Sequence, residues 1–238
     1  MNTLALMRGL TRAFAGSALL LLLAAVVVWV AQRPRFDFRH IELTGDLRHV
    51  SRAAVRNAIA GRLAGNFFTM RLPDAQAAFE TIPWVAAASV RRVWPDRLVV
   101  HVIERRSVGT WGDGRALSDA GDLFAANAAE AELDGPQVEF SGPPRFAREA
   151  AERLRAFSAS LHALSAAVAA INVSERASWS VRTASGQTLE LGRDDPPGSV
   201  ERRLKVIVAH YPTVLAQLSG APAHIDARYN NGFAVTRP

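Results

Sequence analysis

Residues 13–32 carry no charge, and 19–30 are almost wholly aliphatic. A helix rises about 1.5 Å per residue, so the run spans roughly 30 Å, the hydrocarbon thickness of a bilayer. The pattern predicts a transmembrane helix over 13–32 behind a cytosolic tail of residues 1–12. A cleaved secretory signal would share the basic front of Arg8 and Arg12. Cleavage needs two small recognition residues, and before Gln32 these positions hold Trp29 and Ala31. Trp29 is too large for that role and suits an interfacial anchor. Arginines flank both ends (Arg8 and Arg12 against Arg33, Arg35 and Arg39), so counting charges does not orient the helix. The shortness of the tail places it in the cytosol and the bulk of the chain outside.

Beyond this run the apolar period shortens. Phe36, Phe38, Ile41 and Leu43 mostly alternate with polar residues, which predicts a strand over 36–43 ending at Thr44-Gly45. Ser51 is placed to cap a helix striped by Val55, Ile59 and Leu63, with Gly65 as its terminator. Pro73 opens a second helix with Ala75, Ala78, Phe79 and Ile82 on one face, and Pro83 closes it. Residues 85–94 and 98–104 read as a hairpin around Trp94-Pro95-Asp96-Arg97. Trp84, Trp94, Phe67 and Phe68 are read as core or turn packing, because large aromatics dominate small cores. Arg91 and Arg92 point to opposite strand faces, so at least one is solvated.

After Arg105-Arg106, Gly-rich turns around Trp111, Gly112, Gly114, Gly121 and Phe124 suggest brief strands. No Gly-Lys-Ser/Thr follows them, so they make a poor phosphate loop. Residues 125–134 show no period and predict a surface loop or irregular segment. Pro143-Pro144 precedes an amphipathic helix carrying Phe146, Ala150, Leu154, Phe157, Leu161 and Leu164, with Arg148, Glu149, Glu152, Arg153 and Arg155 on the opposite surface. Strands follow at 171–173, at Trp179/Val181/Thr183 and at Leu189/Leu191. A last helix carries Val200, Leu204, Ile207 and Tyr211 and is interrupted by Pro212. The chain then reads as a strand with Ile225, Ala227 and Tyr229 on one face, a turn at Asn230-Asn231-Gly232, and a short strand from Phe233 to Val235. Little chain remains to cover that edge, and unpaired strand edges need protection or a partner.

Ile41-Glu42-Leu43-Thr44-Gly45, Gly65-Asn66-Phe67-Phe68, Ile82-Pro83-Trp84-Val85, Val90-Arg91-Arg92-Val93-Trp94-Pro95 and Glu104, in that order, resemble the POTRA domain of the FtsQ/DivIB family of bacterial cell-division proteins. Asp226-Ala227-Arg228-Tyr229-x-x-Gly232 resembles that family's C-terminal signature, and residues 117–124 its link between domains. The resemblance implies an α+β protein: one transmembrane helix, a POTRA domain (β-α-α-β-β) over 36–105, and over 106–238 a mixed β-sheet domain with packed helices and an exposed C-terminal edge strand. It further implies a divisome scaffold without catalysis or cofactor. The final edge would bind FtsB by strand addition, FtsB being in a coiled-coil pair with FtsL so that the periplasmic parts of both are partners, and the POTRA surface would meet upstream division proteins. Carried over by residue, it points to Tyr229, Asn231, Gly232 and Arg176, with Phe233 and Arg228 added by adjacency. Read without the resemblance, Tyr229 simply covers the sheet, Asn231-Gly232 is a turn and Arg176 a solvated loop charge.

Composition narrows the remaining classes. The chain has no cysteine, which excludes disulfides, thiolate metal sites and a cysteine nucleophile. Its net charge of +6 suggests nucleic acid, yet Arg8, Arg12, Arg33 and Arg35 precede the first acid, Asp37, leaving only +2 for the rest. The basic excess belongs to the membrane boundary, and no clustered basic face with base-reading elements appears. The six histidines form no ligand pair, Lys205 is the sole lysine, and neither His-Glu-x-x-His nor Gly-x-Ser-x-Gly occurs. Scattered carboxylates leave a glycosidase-like pair without positive support. A POTRA-containing factor for envelope protein assembly or secretion is the alternative. It would want repeated units or a β-barrel, for which the remaining length leaves no room.

Overall fold

The computed structural model describes residues 3–218, 220–229 and 232–236. They divide into two compact units, residues 1–104 and 105–238.

The first unit begins with helix α1 (Thr3–Ala31). Within it Gly9–Ala31 is long and apolar enough to cross a membrane, and none of it is buried. The helix therefore starts inside the segment expected to be a tail, where no proline breaks it, and stops one residue short of Gln32. A short turn over Pro34–Phe36 follows, so strand β1 covers only His40–Thr44 and excludes Phe36. Pro34 sets that turn, having a fixed φ and no N–H to give a ladder.

Helix α2 (Arg52–Ile59) is capped as expected, Ser51 Oγ accepting the Ala54 N–H at 3.1 Å. It ends before Leu63, because Gly61 takes a left-handed φ of +69°. Leu63 instead packs on the core from outside the helix. Helix α3 (Leu72–Glu80) carries Pro73 in its first turn, and strands β2 (Val85–Val93) and β3 (Arg97–Glu104) form the hairpin. The sheet order is β1-β3-β2, with β1 parallel to β3, over a core that includes Val55, Phe79, Leu98 and Val100. Arg91 is exposed, whereas Arg92 turns inward and donates to the Met70 carbonyl.

At the end of β3 the Glu104 carboxylate gathers the N–H groups of Arg48 (3.1 Å), His49 (3.0 Å) and Val50 (2.8 Å), with His49 Nδ1 at 2.9 Å. The His49 ring lies stacked on buried Trp84, centroids 3.8 Å apart. Burial raises the Glu104 pKa, but these donors outweigh it and hold it below the usual carboxylate value. Glu104→Ala would leave these donors without their acceptor in a partly buried loop. It is expected to cost roughly 2 kcal/mol of first-unit stability, read by chemical denaturation.

The second unit is a nine-stranded mixed sheet. Its strands are β4 (Ser107–Trp111), β5 (Ala116–Ser118), β6 (Leu123–Phe124), β7 (Val138–Ser141), β8 (Val168–Val173), β9 (Ser178–Thr183), β10 (Thr188–Arg193), β11 (His224–Asp226) and β12 (Ala234–Thr236). They lie in the order β12-β11-β10-β9-β8-β7-β4-β5-β6. One turn of helix, α4 (Ala128–Ala131), forms inside the segment expected to be irregular. Asn127 caps it and Ala131 is buried beneath it, so a burial contact invisible to periodicity orders it. Helices α5 (Ala147–His162) and α6 (Ser199–Gln217) pack on one face of the sheet. There Phe157, Leu161, Trp179, Val181, Leu191, Leu204 and Ile225 make the core. Pro212 does not interrupt α6, which continues to Gln217. It removes one helical hydrogen bond, and just before it the Tyr211 hydroxyl is fastened by Gln187 Nε2.

Arg153 departs furthest from its expected place on the solvent face of α5, being only 6% exposed. Its guanidinium donates to Glu149 (2.8 and 2.9 Å), Asp194 (2.9 Å) and Glu201 (2.6 Å) and lies over the Trp179 ring. Asp194 in turn accepts the N–H of Ser199 at 2.7 Å, at the start of α6. Burial raises the Asp194 pKa, while these backbone donors and Arg153 prevail and bring it to about 2. A depressed carboxylate contributes stability above its unfolded pKa, and that contribution is lost as pH falls through the folded one. The α5–α6 junction should therefore keep its full stability above about pH 4–5 and lose it toward pH 2. Acid titration followed by tryptophan fluorescence checks this, and Asp194→Asn should flatten that part of the curve.

Candidate partner-binding site

The candidate residues gather around the last strands. β11 runs parallel to β10, and β12 returns antiparallel to β11, pairing Ile225 with Val235 and Asp226 with Ala234. Ile225 is fully buried, and Val235 and Phe233 pack against the same core, while Ala234 and Thr236 are exposed. One side of β12 is paired with β11; among the described residues no strand lies on the other.

β11 stops at Asp226, short of the Tyr229 to which it was expected to run. Asp226 Oδ1 accepts the Arg228 N–H at 3.0 Å, a local turn that takes the chain off the ladder. Ala227 stays buried, its N–H on the Glu190 carbonyl, and Tyr229 swings out to 60% exposure. Arg228 makes a two-pronged pair with Asp226, Nε to Oδ1 at 2.9 Å and Nη2 to Oδ2 at 2.7 Å. That pairing raises the Arg228 pKa above its usual value and lowers that of Asp226. The Arg228 stem crosses Gly192, where β10 bulges at a φ of +76°; a Cβ there would meet Arg228 Cγ at 3.1 Å. Arg228 is thus largely occupied within the fold.

Arg176 is exposed in the tight β8–β9 turn, where Ser174 Oγ accepts the Ser178 N–H at 3.0 Å. Asn231 lies outside the described residues. Gly232 is exposed, and a Cβ there would meet nothing within 4 Å among the described residues. Phe233 is half-buried, edge-on to His210 with centroids 6.4 Å apart.

Two grooves sort these residues. Tyr229, Gly232 and Phe233 line one of about 180 Å³ against α6, with Arg202, Arg203 and Val206. Arg176 and Arg228 line another of about 460 Å³, with Arg193 and Arg203. Asp195 and Arg203 border both, so the grooves adjoin. Together they offer a slot beside β12 that mixes Val206, Tyr229 and Phe233 with Arg202 and Arg203, and an arginine-lined channel in which Arg228 and Arg203 are already bonded within the fold while Arg176 is exposed. Sequence reasoning missed Arg193, Arg202 and Arg203. The Arg202-Arg203 pair on a helix was a visible signal, but only the packing of α6 beside β10 shows which side it faces. Among the described residues no group of three or more His, Asp or Glu side chains is disposed to hold a metal ion.

An apolar membrane-length helix, a β-α-α-β-β unit and a second mixed sheet whose last strand has one unpaired side among the described residues fit a single-pass membrane protein. Comparison with known proteins makes this specific. The description "POTRA domain, FtsQ-type" matches residues 36–105, and "Cell division protein FtsQ/DivIB, C-terminal" matches residues 109–228. The chain is 41% identical over 217 residues to cell division protein FtsQ of Burkholderia pseudomallei, covering 91% of this chain and 86% of that one. Its identity to the FtsQ of Bordetella pertussis is 36% over 230 residues (90% and 84%), and to that of Nitrosospira multiformis 34% over 215 (88% and 87%). The chain belongs to the FtsQ/DivIB family of cell-division proteins. The C-terminal match ends at Arg228, so Tyr229, Gly232 and Phe233 lie just past it.

Proposed function

We propose that this protein is a non-enzymatic scaffold of the division machinery that holds FtsB, and through it FtsL, by adding a strand to β12. The observation that carries the reading is the side of β12 left unpaired among the described residues, next to the groove lined by Tyr229, Gly232 and Phe233. Main-chain hydrogen bonds along an edge give attachment, and the adjoining pockets select side chains. The arginine channel around Arg176 favours a partner with carboxylates flanking its strand. In this reading residues 1–12 face the cytosol, α1 crosses the inner membrane, and residues 36–105 and 106–238 work in the periplasm at the septum. The POTRA unit is open to upstream division proteins.

The test uses the full chain in lipid nanodiscs with the periplasmic segments of its FtsB and FtsL. Hydrogen exchange at residues 234–236 is expected to slow on binding, since strand addition protects amides. Binding that leaves those amides unprotected moves the interface elsewhere, and absence of binding overturns the assignment of these partners.

A further inference from the structure

Three of the five tryptophans, Trp84, Trp111 and Trp179, are at most 5% exposed, whereas Trp94 in the β2–β3 turn is 60% exposed. It is not an isolated ring. Phe36, Phe67, Phe68 and Trp94 touch one another, with centroids 5.1 Å apart for Phe36–Phe68, 5.2 Å for Phe67–Trp94 and 5.4 Å for Phe67–Phe68. Phe68 is itself 50% exposed. Phe67, Phe68 and Trp94 were expected to pack in the core or its turns, and Phe68 and Trp94 instead present an aromatic face to the outside.

Continuity with α1 says what covers that face. Asn66, only 5% exposed, donates its side-chain amide to the carbonyl of Ala31, the last residue of α1, at 2.6 Å. Its Oδ1 accepts the N–H groups of Phe68 (3.0 Å) and Thr69 (3.2 Å), a side-chain turn that fixes how Phe67 and Phe68 project. The Phe67 N–H then reaches the Phe36 carbonyl at 2.9 Å. The ring cluster is thus tied to the residue at which the apolar helix ends. In the last turn of that helix Trp29 lies under the Arg33 guanidinium, 3.5 Å from its carbon. Arg33, Arg35 and Arg39 against Asp37 leave the connecting segment positive.

Tryptophan favours the layer where hydrocarbon meets headgroups, phenylalanine beside it dips its apolar ring into the same boundary, and neighbouring arginine reaches the phosphates. We propose that the Phe36–Phe67–Phe68–Trp94 cluster rests in the headgroup layer of the membrane that α1 crosses, giving the first unit a second, lipid contact. The proposal rests on α1 being membrane-spanning. A shallow aromatic contact beside the anchor would restrict tilting of the first unit on its helix, so that α1 and the rings hold it at two points.

The chain has no cysteine, so single spin labels can be placed without removing native residues. The full chain in nanodiscs would carry a nitroxide at Phe68→Cys, Trp94→Cys, Leu21→Cys or Ala86→Cys. Ala86 is exposed and lies eight residues before Trp94, roughly 26 Å along β2. Collisions with oxygen and with a water-soluble nickel chelate report depth. The labels at 68 and 94 are expected to favour oxygen several-fold more than the label at 86, and less than the one at 21. Labels at 68 and 94 that match Ala86 while Leu21 is embedded overturn the lipid contact and leave the anchor standing. A Leu21 label in water overturns the anchor and the contact with it.

Discussion

Arg153→Ala is expected to destabilise the second unit by roughly 3–5 kcal/mol, the largest effect of any single substitution proposed for this chain. The argument starts from burial. A guanidinium 6% exposed must be paired, and Arg153 meets three carboxylates from α5, α6 and the segment between β10 and α6. Removing it leaves Glu149, Asp194 and Glu201 close together without their shared cation, and it uncovers one face of Trp179. Domains of this size are stable by only about 5–15 kcal/mol, so the loss would bring the unit near its limit. Arg153→Lys is expected to recover only part of it, because a point charge cannot reach three acceptors as a planar fork does. Urea denaturation followed through tryptophan fluorescence measures both. A loss below about 1 kcal/mol, the range of an exposed ion pair, would overturn the structural role.

Tyr229→Ala is expected to weaken the proposed binding of FtsB by about 2 kcal/mol, close to 30-fold, while leaving stability nearly unchanged. The two halves of this expectation come from one observation. Tyr229 is 60% exposed, so the fold gains little from its ring, yet it borders the groove beside the free edge, where an aromatic anchor is most effective. Gly232→Ala supplies a sharper version. The fold has open space for the methyl group, so weaker binding by that variant would have to arise from a partner approaching the backbone closely. Titration of the nanodisc-held chain with FtsB, beside a thermal melt of each variant, separates contact from folding. Unchanged affinity in both variants would remove the groove from the interface.

Much of the architecture was readable before any coordinates, for reasons that particular residues make plain. The stripe of Phe157 and Leu161 on α5, the alternation of Trp179, Val181 and Thr183 on β9, and the Ser51 cap of α2 are local signals, since spacing alone sets which face each side chain occupies. The errors fall where local preference yields to long-range contact. Pro212 ought to end α6, but Tyr211 is fastened to Gln187 just ahead of it. Leu63 ought to extend α2, but Gly61 turns the chain and Leu63 packs from outside. Arg153 reads as a surface charge on a helical wheel, and only three acids from separate segments make it a buried one. For the candidate site, the resemblance from Asp226 to Gly232 marked the region. Its grooves are half built by α6, in which nothing but the Arg202-Arg203 pair hinted at the role.

Sequence by itself determined the membrane helix, the two-unit α+β plan and the family, because charge-free length, apolar period and motif order are properties of neighbouring residues. Tertiary structure alone decided that Tyr229 borders a groove against α6, and that Arg153 joins two helices. It also decided that rings from three parts of the chain, Phe36, Phe67-Phe68 and Trp94, meet near the end of α1 with Phe68 and Trp94 exposed. Each of these depends on which surfaces the sheet brings together, and pairing across long loops is set by the packing of the whole core rather than by any local run of residues.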